Sequence, residues 1–193
     1  MTAEDLQEGM LKTALATDAI AVASVMPSFA NRSEPIDPVQ LYQQIGNHEG
    51  IKDTVYLDTK GHPTVGIGFN LDSSVNKEFL NRNPDIKQKI FNKTPLTKRD
   101  IQILYNFSLR IAYADAIDIF PNFQKLPKTA KKVILDMSFN LGKPRLSKFT
   151  KMRAAILKYD FDTAADEMVD SKWYRQVKTR GKNLELMMRS INK

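Results

Sequence analysis

The stretch from Glu49 to Phe69 constrains this chain more than any other. Just before it, Val39, Leu41, Tyr42 and Ile45 keep helical spacing. Asp37-Pro38 supplies an N-cap and a first-turn proline, and Gln40 completes a capping-box pattern. These signals predict a helix from Pro38 to a left-handed C-cap at Gly50, with Glu49 on its last turn. Two short β runs follow, 54–57 and 64–69, joined by the hairpin turn Asp58-Thr59-Lys60-Gly61. In the second run Val65, Ile67 and Phe69 are expected on one face, and Thr64, Gly66 and Gly68 on the other. Two bare glycines let a ligand lie close against a backbone, or simply mark a bulged strand.

Glu49 stands out for its place on the helix. A carboxylate there meets the negative end of the helix dipole, which disfavours its charged form, as a proton donor requires. Asp58 lies nine positions on and Thr64 six further. A proton donor, a second carboxylate and a hydroxyl on one small scaffold fit the hydrolysis of a glycosidic bond.

The pattern Glu49-Gly50, Asp58, Thr64 and Gly66-Ile67-Gly68 resembles the phage-type lysozymes (muramidases) of glycoside hydrolase family 24, over residues 38–193. The resemblance implies that Glu49 is the general acid, Asp58 the carboxylate that orients or activates water, and Thr64 its neighbour. Gly66, Gly68 and Phe69 are then expected to bind substrate. Phe69 stands where many relatives carry histidine, which puts a structural contact in question and leaves the chemistry intact. Phe139-Asn140-Leu141-Gly142 resembles a family segment lining the sugar cleft, so Asn140 is either a substrate contact or a simple helix-end cap. By the same resemblance Arg180 reaches back to pair with Glu49, which would favour the carboxylate's charged form.

The rest of the chain reads as helices. Ser74 is expected to cap a helix over 75–81, and Asn83-Pro84 to open one through Phe91. Thr97 and Asp100 mark the start of a long helix whose stripe runs from Ile101 to Ile117. Helices are further expected over 127–141, 146–158, 161–169 (with Asp162 starting it) and 179–191. Trp173 is read as core.

The fold expected is α+β and lysozyme-like. Its small lobe (38–96) carries a hairpin or three-stranded sheet, a linking helix spans 97–120, and a helical lobe covers 121–193. The active cleft is expected between the lobes. Residues 1–37 read as a helical segment and linker, Leu6 to Met26 carrying a helical rhythm broken by Asp18. That segment is acidic and too short and polar for a membrane span, and Asp18 reads against a cleavable signal peptide. Residues 1–36 are expected to dock on a protein partner in a virion or delivery complex, or back on the domain.

Charge narrows the partner. The chain carries a net charge of +7, with −4 in residues 1–37 and +11 in the remainder. A basic body suits an anionic polymer. No nucleic-acid motif, P-loop or Ser-His-Asp arrangement is present, so peptidoglycan strands are the partner expected and nucleic acid is not. The chain has no cysteine and only His48 and His62, which excludes disulfides and thiol catalysis and argues against a histidine metal site. No cofactor and no metal are expected. The catalytic domain is expected to act as a monomer on the cell wall of the periplasm, made in a host cytoplasm or carried in a virion. The alternative is a catalytically silent wall-binding or virion structural module on the same fold.

Overall fold

Asp37 opens the first helix as its side chain dictates. Its Oδ1 accepts the backbone N–H of Val39 at 2.9 Å, one of the donors a helix start leaves without a partner. In the computed structural model, which describes residues 36–59 and 61–192, this helix is α1, Pro38–Glu49. Leu41 and Ile45 are fully buried on its inner face. Gly50 ends it with φ at 76° and its N–H on the Gly46 carbonyl, the left-handed cap only glycine adopts at no cost. The N-terminal helix and its docking role fall on residues 1–35, outside the described residues.

Three strands follow: β1 (Lys52–Leu57), β2 (Pro63–Gly66) and β3 (Phe69–Asn70), antiparallel in the order β1-β2-β3. Here the single run expected over 64–69 gives way to a second hairpin. Val65 pairs with Phe69 and Thr64 with Asn70, so the chain reverses around Ile67. Gly66 and Gly68 flank that apex with φ of 66° and 67°, a left-handed pair that strand alternation does not foresee. Ile67 and Phe69 are still buried, at 1 % exposure each.

Helix α2 runs Ser74–Asn81, so Ser73 and not Ser74 precedes its first turn, and α3 runs Pro84–Phe91 behind Asn83 as the proline predicts. Helix α4, Lys98–Ile119, carries the expected capping box in both directions: Asp100 Oδ2 accepts from Thr97 N and Oγ1, and Thr97 Oγ1 accepts from Asp100 N. Lys89 Nζ adds a charged bond to the same oxygen at 2.7 Å. Burial by itself would raise the Asp100 carboxyl, but the hydrogen bonds from Lys89 and Thr97 hold it below the usual carboxylate range. Near the C-terminal end Ile117 is exposed, and Ala116, Ile119 and Phe120 take the inner face.

The remaining helices are α5 (Lys128–Leu141), α6 (Lys143–Leu146), α7 (Thr150–Leu157), α8 (Phe161–Val169), α9 (Lys172–Val177) and α10 (Thr179–Arg189). The helix expected over 146–158 is split, because Leu146 closes α6 and the chain turns through Ser147–Phe149 before α7. Asp160, not Asp162, starts α8, its Oδ1 accepting Thr163 N at 3.0 Å. Along α5, Val133, Ile134, Leu135 and Met137 are fully buried, each contributing about 1.5–3 kcal/mol.

Contacts divide the described chain into two units. One is Gln44–Ile111, holding the sheet, α2, α3 and the first part of α4. The other comprises 36–43 and 112–192. No described helix is long and apolar enough to cross a membrane.

Candidate active site

The unit Gln44–Ile111 holds most of the residues singled out by the sequence: Glu49, Asp58, Thr64, Gly66, Gly68 and Phe69. Asn140 and Arg180 belong to the other unit.

Glu49 is the last residue of α1 and half-buried. Its carboxyl lies over the second hairpin. A methyl group built on Gly68 would sit 3.3 Å from Glu49 Oε2 and 3.5 Å from Cδ. Only a residue without a side chain, in the left-handed region, gives the carboxyl that seat. Gly68, expected to open the backbone to a ligand, opens it to Glu49.

Asp58 closes the β1–β2 hairpin. Its N–H donates to the His62 carbonyl, its own carbonyl accepts from Gly61 N–H, and its Oδ1 accepts His62 N–H at 2.9 Å. One carboxylate oxygen is thereby fixed by the turn it builds, a role for which short acidic side chains are favoured. Thr64 lies not opposite Asp58 but opposite Tyr56, because the register pairs Tyr56 with Thr64 and Leu57 with Pro63. Thr64 is 2 % exposed and its Oγ1 donates to the His62 carbonyl at 3.1 Å. Toward any further group this hydroxyl is an acceptor. His62 thus ties Asp58 and Thr64 together through its backbone, while its ring faces Asp72 at 3.3 Å.

Tyr56 was not singled out by the sequence. It is the one residue of β1 that is not exposed, and its phenol pKa is raised, first by burial and then by the charges of Glu49 and Asp58. The strand alternation that places it two residues before Asp58 on the same face is the signal that could have found it.

Two residues expected to bind substrate have packing roles in the fold. Gly66 is buried, and a methyl group built on it would sit 3.7 Å from the Ile101 and Leu104 side chains, so its bare face serves packing against α4. Phe69 is buried beside the stacked pair Phe79–Phe107, its ring centroid 6.3 and 6.4 Å from theirs, and offers a sugar no side-chain surface. A phenylalanine at this position exchanges a polar contact for an aromatic cluster.

In the other unit, Trp173 is core as expected, and its Nε1–H donates to Asn140 Oδ1 at 2.9 Å. That bond orients the amide, oxygen toward the indole and NH2 away from it. Arg180 is buried and bound to Asp136, through Nε to Oδ1 at 2.7 Å and Nη2 to the Asp136 carbonyl at 3.1 Å. The sequence reading missed Asp136. Its signal was a lone charge amid Val133, Ile134, Leu135 and Met137, a stretch too apolar to hold an unpaired carboxylate.

The phage lysozyme family model matches residues 46–190. The chain belongs to the phage lysozyme family. This lysozyme-family chain is similar to the pre-baseplate central spike protein Gp5 of Enterobacteria phage T4, 24 % identical over 162 residues. That match covers 80 % of the chain and 28 % of Gp5, so the chain spans less than a third of that relative's length. It is also similar to the probable T4-type lysozyme 1 of Dictyostelium discoideum, 27 % identical over 142 residues, covering 68 % of the chain and 83 % of that protein. The α+β architecture, a small antiparallel sheet among helices, agrees with this membership. Among the described residues no group of three acidic or histidine side chains is placed to hold a metal ion.

Proposed function

We propose that the chain is an endo-acting muramidase that hydrolyses the β-1,4 bond between N-acetylmuramic acid and N-acetylglucosamine in peptidoglycan. The observation that carries this reading is the seating of the Glu49 carboxyl on Gly68, in the same sheet region whose hairpin fixes Asp58 and Thr64. Glu49 gives its proton to the leaving glycosidic oxygen as the anomeric C–O bond breaks. Asp58 accepts a proton from the water that attacks the anomeric carbon, and Thr64 Oγ1 accepts a hydrogen bond from the O–H that the water keeps. Attack from the face opposite the leaving group inverts the configuration. Asn140, its amide oriented by Trp173, and Arg180, bound to Asp136, are the further substrate-binding and supporting residues that the family resemblance implies.

The basic body favours an anionic wall polymer as substrate. Likeness to a protein named for a spike favours deployment from a virion, with residues 1–36 as the docking segment. A silent wall-binding module is the weaker reading, because Glu49, Asp58 and Thr64 are all present.

Mass spectrometry of digested peptidoglycan tests the chemistry. Hydrolysis yields reducing-end muropeptides, initially of α configuration. A product mixture dominated by 1,6-anhydro ends would instead mean attack by the sugar's own 6-hydroxyl and would remove Asp58 from its role.

A further inference from the structure

Strand β1 presents its other side chains to solvent, Val55 at 41 % and Leu57 at 70 % exposure, and turns Tyr56 inward. Tyr56 stands directly across from Thr64 in the ladder, so their Cβ atoms share one face about 4.5–5.5 Å apart. Asp58 follows two residues later on that face, across its own hydrogen bond to His62. We propose that Tyr56 is a substrate-binding residue of this site, its ring packing against the C–H face of the sugar at the scissile bond and its hydroxyl donating to a sugar oxygen.

A half-buried phenol suits that task, because it joins a large apolar face to a polar tip. Among the described residues its ring joins none of the aromatic pairs, and no hydrogen bond contributes to the state of its hydroxyl. Burial first, and then the neighbouring Glu49 and Asp58 carboxyls, hold the proton on the phenol, so the hydroxyl serves as a donor. A tyrosine closing a core is expected to bond back to the protein. This one faces the two carboxylates assigned to the reaction, and the inference rests on that assignment.

Steady-state kinetics on soluble glycan oligomers prepared from peptidoglycan separate the outcomes. Tyr56→Phe is expected to raise KM about three- to tenfold, with kcat within about twofold and an unchanged melting temperature, the mark of lost ground-state binding. Tyr56→Ala is expected to raise KM about tenfold further. Direct binding of the same oligomers to Glu49→Gln, with and without Tyr56→Phe, should show the same loss without turnover. An unchanged KM and an unchanged affinity in Tyr56→Phe overturn the proposal, and this variant decides the matter even if Tyr56→Ala does not fold. Full activity in Glu49→Gln would instead defeat the functional reading, and the binding arm would still report on Tyr56.

Discussion

Glu49 and Gly68 are coupled through absence: the carboxyl rests where a side chain would be. Gly68→Ala adds a methyl 3.3 Å from Oε2 and places a non-glycine residue at φ 67°. The strain costs about 1–2 kcal/mol, and a carboxyl displaced by a fraction of an ångström to an ångström loses about 10- to 100-fold in rate. Gly61→Ala is the control, at φ 83° with nothing within 4 Å of the added carbon. It is expected to lower the melting temperature similarly while leaving the rate far less changed, and equal rate losses in the two variants would mean that Gly68 does nothing particular for Glu49. At this scale the spacing of Glu49, Asp58 and Thr64 was legible, and the proposed chemistry rests on it. It was not legible for Phe69 or Gly66, because whether a residue faces solvent or α4 depends on the hairpin at Ile67, and two left-handed glycines decide that.

The caps at Asp37, Gly50 and the Thr97–Asp100 pair were legible, since they act on backbone groups within a few residues, while those of α2 and α8 fell one and two residues before the positions expected. The break between α6 and α7 was illegible, because buried Leu146 ends one helix by its packing rather than by any breaker in the sequence. Asp100 offers a test with a defined sign. Its lowered folded pKa adds stability above the unfolded value near 3.9, and that stability is lost as pH falls through the folded value. Asp100→Asn is therefore expected to cost about 1–2 kcal/mol in urea unfolding at pH 7 and to converge on wild type as pH falls through the folded value. A pH-independent difference would show that the carboxylate's charge is not what stabilises the start of α4.

Across the molecule, the chemistry and the pairing that supports the helical unit come from separate parts of the sequence. Asp136 on α5 and Arg180 on α10 form a buried pair, 0 % and 6 % exposed. Removing one partner leaves the other charge buried, so Asp136→Ala is expected to cost about 3–5 kcal/mol, read by denaturant unfolding. Asp136→Leu with Arg180→Met should recover most of that stability. If the double variant recovers stability but not activity, Arg180 serves the reaction as well as the fold; recovery of both makes it purely structural.

Reducing-end release from purified peptidoglycan, measured side by side for the wild-type chain and Glu49→Gln, tests the proton donor directly. Glutamine keeps the shape and the seat on Gly68 but has no proton to give. The rate is expected to fall about 10²- to 10⁴-fold with the melting temperature preserved. A folded Glu49→Gln that releases reducing ends at the wild-type rate would contradict the assignment of Glu49 as the acid.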